Sequence, residues 1–239
     1  MNTSRQKIPP GPGGVSRDPD AVVVGTGEPV PRPAGPRHWA AVALLCLVFV
    51  ILAVGRRWYN DDTFITFRYS WNLAQGHGFT WNQGGPHVEG STSLAWTLLN
   101  AAGMKFGADP VLLSWYAGIA AGVLGLVLSF VAARRFFGLS APWALLAPAF
   151  LCAGRQYVIG AAGANETRAA TVVVLAATLA MAAEQRRRPP GWAASGGLFF
   201  LGTLLRPEVP LLHLAAGLGF ALSQPVRARL VAVVKSGAL

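Results

Sequence analysis

Residues 39–55 read WAAVALLCLVFVILAVG, seventeen residues without a charge. A run of about 17–25 apolar residues crosses roughly 30 Å of hydrocarbon as a helix. The stretch therefore predicts a membrane span rather than a core helix. Arg56 and Arg57 follow at once, and a polar segment then opens with Tyr59, Asn60, Asp61 and Asp62. A carboxylate pair just outside a span has two readings. It is solvated and caps the next helix, or it faces a reaction at the membrane surface.

Composition extends the membrane reading to the whole chain. Of its 239 residues 53% are hydrophobic and 13% charged, too few charges to cover the surface of a soluble domain. The net charge of +10 raises nucleic acid as a partner, but the basic residues argue against it. Arg37, Arg134–Arg135, Arg186–Arg188, Arg227 and Arg229 stand in short groups at the ends of apolar runs. That is a topology signal, not a phosphate-tracking stripe. Cys46 and Cys152 lie inside apolar runs away from other metal ligands, and read as small buried hydrophobes.

Residues 1–37 are rich in Pro, Gly and polar side chains, so they read as a disordered tail. Its five basic residues favour the cytoplasm. Residues 38–239 read as one transmembrane domain, an all-α polytopic helical bundle. Six spans are expected: 39–55, 110–133, 139–154, 167–183, 192–205 and 209–223. With the tail inside, 13 of the 20 basic residues fall on the inner side and 7 on the outer. Arg56 and Arg57 conflict with that bias. The orientation requires that 91–106 not cross, so this segment reads as a helix in the outer interface. The polar stretches at 60–90, 163–168 (GANETR) and 206–208 (RPE) then share the outer face.

Residues 56–108 form the longest polar segment. Phe64, Phe67, Trp71 and Ala74 recur at steps of three and four, an amphipathic helix with an apolar stripe. Asn60 or Asp61 caps its start and Gly76 ends it. Phe79–Asn82 and 87–89 flank the turn QGGP and suggest a small hairpin. Ser91, Thr92 or Ser93 caps the helix that begins at Leu94.

The run at 61–96, DDTFITFRYSWNLAQGHGFTWNQGGPHVEGSTSLAW, resembles the first outer loop of bacterial type C glycosyltransferases, in particular the branch of mycobacterial terminal arabinofuranosyltransferases. That branch pairs DD-x-F-I-x-F-R-Y with G-H-G and V-E-G-x-T-S-x-x-W. GANET at 163–167 and LLRPEV at 204–209 are similar to later elements, so the likeness extends over roughly 39–225. The resemblance implies transfer of a sugar from a polyprenyl-phosphate carrier to a glycan or glycolipid hydroxyl at the outer face of the cell membrane. A first-loop carboxylate serves as general base, and the bilayer holds the donor. Members of the family are longer. The resemblance therefore also implies that this chain is an N-terminal portion, with acceptor-binding parts supplied by further sequence or by a partner.

The candidate catalytic residues are Asp61 and Asp62. A sugar hydroxyl is a poor nucleophile, and a carboxylate that takes its proton as the new bond forms makes it a better one. Asp61 aligns better with the family's base, and Asp62 orients it or binds metal. Helix capping at the positive end of the macrodipole is the bland alternative. Arg206 either grips a carrier phosphate bidentately, pairs with Glu208, or snorkels to headgroups. Glu208 orients Arg206 or touches sugar. Glu166 is a substrate ligand or a first-turn acid beside the cap Asn165. Arg68 binds phosphate or pairs with an aspartate. His77 is a sugar contact or a turn residue, and Glu89 binds sugar or stabilises the loop. No metal site is legible, although a divalent ion shared by carboxylates and phosphate is chemically open. The rival readings are a non-catalytic membrane subunit or inactive fragment, and a transporter. The second is disfavoured by the absence of a clear inverted repeat and by ionisable groups that gather at one edge.

Overall fold

A computed structural model describes residues 33–85, 88, 90–185 and 193–223, together with one antiparallel pairing of Val22–Val23 with Pro29–Val30. The domain is all-α, as expected. Its helices are α1 (Pro36–Val54), α2 (Asp61–Ala74), α3 (Leu94–Lys105), α4 (Pro110–Arg135), α5 (Ala141–Ala144), α6 (Leu146–Ala153), α7 (Arg155–Ala162), α8 (Thr167–Gln185), α9 (Ala193–Leu205) and α10 (Val209–Ser223).

Three of the described helices, α1, α4 and α8, are long and apolar enough to cross a membrane. The expected straight span at 139–154 is instead a bent element. Ala141–Ala153 and Arg155–Ala162 meet at 59°, and count as a fourth span only when taken together. The break falls at Gly154, whose backbone is extended and whose carbonyl accepts the N–H groups of Tyr157 and Val158, starting a new helix. The α9 helix and the apolar part of α10 (Val209–Gly219) are shorter than a full crossing. Pro207 between them lacks the N–H that would continue α9. Leu44, Leu47 and Ile51 on α1, Phe150 on α6, and Leu211, Leu214 and Leu218 on α10 are all exposed. Apolar surface of that extent on several faces suits lipid and not water.

The centre of the bundle is α4. Phe49 and Ala53 of α1, Trp115, Ile119 and Leu126 of α4, and Cys152, Tyr157, Val158 and Ala161 of the bent pair form one buried cluster. Close approach depends on missing side chains. A Cβ at Gly118 would sit 2.6 Å from the Ala161 carbonyl oxygen, and one at Gly122 would sit 2.3 Å from the Phe49 ring. Small residues at such spacing let helix backbones meet where lipid offers no hydrophobic drive to association. A second cluster joins Ala177 and Met181 of α8 to Phe199 of α9 and Val209 of α10. At the far end of α8, the buried Glu184 accepts from the backbone N–H groups of Ala194 and Ser195 (2.7 and 3.2 Å) and from the Ser195 hydroxyl (2.6 Å). A carboxylate there satisfies the orphan donors of the α9 start.

The loop helices differ from expectation in which face they bury. On α2 the residues turned inward are Thr63, Thr66, Phe67, Tyr69, Ser70 and Asn72, whereas Phe64 and Trp71 are exposed. The step-of-three pattern identified the helix but overstated its apolar stripe. Its partner explains the difference. The buried face of α3 carries Trp96, Thr97, Asn100 and Ala101, and hydroxyls join α3 to both neighbours: Ser70 of α2 donates to the Thr97 carbonyl (3.0 Å) and Asn100 accepts from Ser114 of α4 (2.9 Å). Thus α3 is a packed member of the bundle. Trp96 meets Ala170 of α8 and Leu205 of α9 in a further cluster.

Phe79–Asn82 forms no strand. The buried Asn72 amide donates to the carbonyls of Thr80 and Trp81 (2.7 and 3.0 Å), and the Tyr69 ring lies against Phe79 and Trp81. These ties hold the segment as loop. Its expected partner at 87–89 lies largely outside the described residues.

A candidate acidic site at one end of the bundle

The site is assembled from four helix ends. Helix α1 ends at Val54, α2 starts at Asp61, α8 starts at Thr167 and α9 ends at Leu205, and side chains lock these ends together. Arg57 places its guanidinium 3.6 Å from the centroid of Trp115, near the start of α4. The Trp58 indole donates to the Ile159 carbonyl (2.9 Å), and its backbone N–H points to the Ala162 carbonyl (3.4 Å). The Trp58 ring also covers Gly163, where a Cβ would sit 3.1 Å from it. The chain from α1 to α2 is thus fixed against the end of α7.

Asp61 and Asp62 open α2, and both are exposed. Asn60 is the cap. Its side-chain oxygen accepts from the Asp62 N–H (3.5 Å), while its amide nitrogen lies 3.3 Å from the Asp62 carboxylate. One turn in, the buried Thr63 hydroxyl donates to the Gly163 carbonyl (3.5 Å). The acidic start of α2 therefore docks on the 163–167 loop, the same loop that carries Glu166. No long-range periodicity could have found this contact, because it joins a hydroxyl to a carbonyl a hundred positions away.

The loop itself is tightly built. Ala164 is buried and adopts φ 55°, a left-handed conformation that costs a residue with a Cβ about 1–2 kcal/mol. Asn165 caps α8, accepting from the Thr167 N–H (3.1 Å), as the capping alternative required. Glu166 is mostly buried, with its side chain 14% exposed, and pairs with Arg206 at 3.0 Å. The same guanidinium reaches Glu208 at 3.5 Å and donates to the Thr167 hydroxyl at 3.0 Å. Arg206 thus joins GANET to RPE. Pairing with Glu208 was among the expectations. The tighter pair with Glu166 was not, since the two are forty residues apart in sequence.

Other expected positions fall elsewhere. Arg68 lies two turns along α2 from Asp61 and donates to the Trp81 carbonyl (3.1 Å), tying loop to helix. His77 is exposed between Gly76 and Gly78, both left-handed at φ 82° and 81°, so its backbone is that of a turn residue. Glu89 lies outside the described residues. Arg168 turns inward. It donates to the Gln156 carbonyl (3.1 Å), lies over the Tyr157 ring (4.7 Å) and fills the space beside Gly160. It acts as a clasp between α7 and α8. Among the described residues no group of three His, Cys, Asp or Glu side chains stands close enough to hold a metal ion.

Two unspent features characterise this face. The Asp61–Asp62 pair is open to solvent, as a base that meets an incoming hydroxyl must be. Exposed aromatic rings flank it in sequence: Trp58, Tyr59 and Phe64. Such rings suit the headgroup level of a bilayer, and also the apolar face of a sugar.

Comparison with known proteins yields one distant relation. The chain is 34% identical over 102 residues to the terminal beta-(1->2)-arabinofuranosyltransferase of Mycobacterium tuberculosis (strain ATCC 25618 / H37Rv). The match covers 41% of this chain and 16% of that protein, so the chain spans well under two thirds of the relative's length. No family model matches the chain, and no solved structure does. The similarity supports a distant relation to that glycosyltransferase branch.

Proposed function

We propose that this chain takes part in glycosyl transfer from a polyprenyl-phosphate sugar to a hydroxyl of a glycan or glycolipid at the outer face of the cell membrane, its N-terminus lying in the cytoplasm. The observation that carries the reading is the docking of the Asp61–Asp62 helix start on the loop that holds Glu166 and, through it, Arg206 and Glu208. The distant similarity to an arabinofuranosyltransferase supports the same reading.

In this scheme the acceptor oxygen attacks the anomeric carbon as Asp61 takes its proton. The bond from that carbon to the phosphate oxygen breaks, and the polyprenyl phosphate leaves with the electron pair. A single displacement inverts the anomeric centre. Asp62, held by Asn60, keeps the neighbouring carboxylate oriented or shares a divalent ion with the phosphate. Glu166 and Glu208 fix the Arg206 guanidinium, and so set the edge of the site next to which the sugar lies.

The test is turnover. The purified chain, reconstituted in lipid, is given a polyprenyl-phosphate arabinofuranose donor and a glycan acceptor, and release of polyprenyl phosphate is followed. Asp61→Asn lowers turnover by about a hundredfold or more, with thermal unfolding unchanged. Equal turnover in wild type and Asp61→Asn removes Asp61 as base.

A second reading has its own support. Glu166, Arg206, Glu208 and Thr167 satisfy one another, as a structural clasp in a non-catalytic membrane subunit does. Absence of turnover in the reconstituted wild type, under conditions where the relative turns over, favours that reading.

A further inference from the structure

Beside Trp58 lies a basic cleft. It has a volume of about 470 Å³ and is lined by Arg56, Trp58, Arg155 and Ile159. A second hollow of about 210 Å³ shares Arg56 and Arg155, and adds Leu52, Cys152, Ala153 and Val158. Both hollows share the two cations, and the second adds apolar walls. The 59° bend at Gly154 opens the space, because it turns α7 away from the line of α6 beside the end of α1.

The two arginines are not spent on carboxylates. Arg56 gives one N–H to the Leu52 carbonyl (3.2 Å), leaving the rest of its five donors. Arg155 has no hydrogen-bond or ion-pair partner among the described residues. Two unpaired guanidinia beside one cleft attract an anion. The apolar walls that share those cations suit a hydrocarbon chain. A ligand that carries both is a lipid phosphate. The cleft adjoins the candidate site, since Trp58 lines it and also covers Gly163 of the loop that receives Thr63.

We infer that Arg56 and Arg155 bind the phosphate of a polyprenyl-phosphate lipid, whose chain descends over Leu52, Cys152, Ala153 and Val158 while its headgroup projects past Trp58 toward Asp61 and Asp62. The inference rests on the proposed transfer reaction for the identity of the lipid, and on the cleft for its place. The leaving phosphate then sits on cations that the Glu166–Arg206 clasp does not use. A phosphate so held leaves with its charge already met.

Binding is measured without turnover. The full chain in detergent is titrated with farnesyl phosphate, farnesol, inorganic phosphate and phosphatidylglycerol, and complexes are counted by native mass spectrometry. Farnesyl phosphate binds, whereas farnesol and inorganic phosphate bind about tenfold more weakly or worse. Arg155→Gln weakens farnesyl phosphate by about tenfold, and Arg155→Lys recovers part of the loss. Arg155 bonds to nothing in the described bundle, so its variants keep the wild-type melting temperature. Unchanged affinity in the double variant Arg56→Gln/Arg155→Gln overturns the inference. So does farnesol binding as well as its phosphate, or inorganic phosphate binding as well as the lipid. Displacement of farnesyl phosphate by an equal concentration of phosphatidylglycerol overturns the assignment to a carrier lipid. Asp61→Asn retains farnesyl phosphate affinity and loses only transfer. Loss of the cleft and loss of the transfer reading are therefore read on separate instruments.

Discussion

Gly118→Ala tests the packing that places the candidate site. The added Cβ would stand 2.6 Å from the Ala161 carbonyl oxygen, against an ordinary contact beyond 3.4 Å. Because the opposing atom is backbone, no side-chain rotation relieves the overlap, and α4 and α7 must part by most of an ångström. Overpacking of this kind costs about 1–3 kcal/mol. Ala gains up to about 1 kcal/mol over Gly in a helix, so the two terms oppose. Gly197→Ala separates them. That glycine is an exposed interior residue of α9 with nothing within 4 Å of a new Cβ, and it reports the propensity gain alone. The difference between the two variants is the clash, about 1–3 kcal/mol, or roughly 2–10 °C in a chain of this size. A thiol-reactive dye that reports exposure of Cys46 and Cys152 on heating reads it directly, since both are free and sit within the bundle. Ala161 lies two residues before Gly163, which receives the Thr63 hydroxyl, so the same parting shifts the loop under α2. A Gly118→Ala melting point equal to or above that of Gly197→Ala would refute the close approach, and with it the geometry that sets the loop.

Two further outcomes follow from the site. A double-mutant cycle on Glu166→Gln and Arg206→Gln should give a coupling of about 0.5–1.5 kcal/mol in thermal unfolding, toward the low side because Arg206 is a third exposed; a coupling near zero dissolves the clasp. Single cysteines placed at the exposed positions Asp61 and Glu208 should both react with a membrane-impermeant maleimide added to one side of sealed vesicles, and one protected while the other reacts would break up the common face.

Much of the architecture was legible because lipid leaves a coarse signature. Uncharged runs ending in arginine marked α1 and α4, an apolar run ending at Arg186–Arg188 marked α8, and the spacing of Phe64, Phe67 and Trp71 marked α2. The bend at Gly154 was not legible. The apolar run at 139–154 looks continuous, and only the pairing of the Gly154 carbonyl with Tyr157 and Val158 shows a second helix starting. The buried face of α2 was misjudged for a related reason. Within a membrane bundle, hydroxyls and amides that find partners are buried as readily as apolar side chains, so Thr66, Ser70 and Asn72 lie inside while Phe64 and Trp71 lie outside. At the candidate site, Glu166, Arg206 and Glu208 were each singled out, and their pairing joins elements far apart in sequence. Arg57 on Trp115 and the Arg56–Arg155 cleft were missed. The only signal was the presence of Arg56 and Arg57 where the charge bias did not want them.

That misfit has a local counterpart. The positive-inside bias counts Lys and Arg near span ends, and most of those on the site face also hold contacts within the protein. Arg56 caps α1 through the Leu52 carbonyl, Arg57 lies on Trp115, Arg68 holds Trp81, Arg168 holds Gln156 and Tyr157, and Arg206 is paired with Glu166 and Glu208. Arg57, Arg68, Arg168 and Arg206 are thus spent on local geometry within the protein, and Arg56 only in part. Of the seven basic residues assigned to this side, Lys105 and Arg155 have no such tie among the described residues. Arg56 and Arg57 still count against the proposed orientation, although each has a local contact that holds it in place. Arg155 is the informative remainder. Its side chain is exposed where it lines the apolar hollow, with no carboxylate on it among the described residues, so it is open to an anion. The residue that topology least explains is thus the one that most strongly implies an anionic lipid.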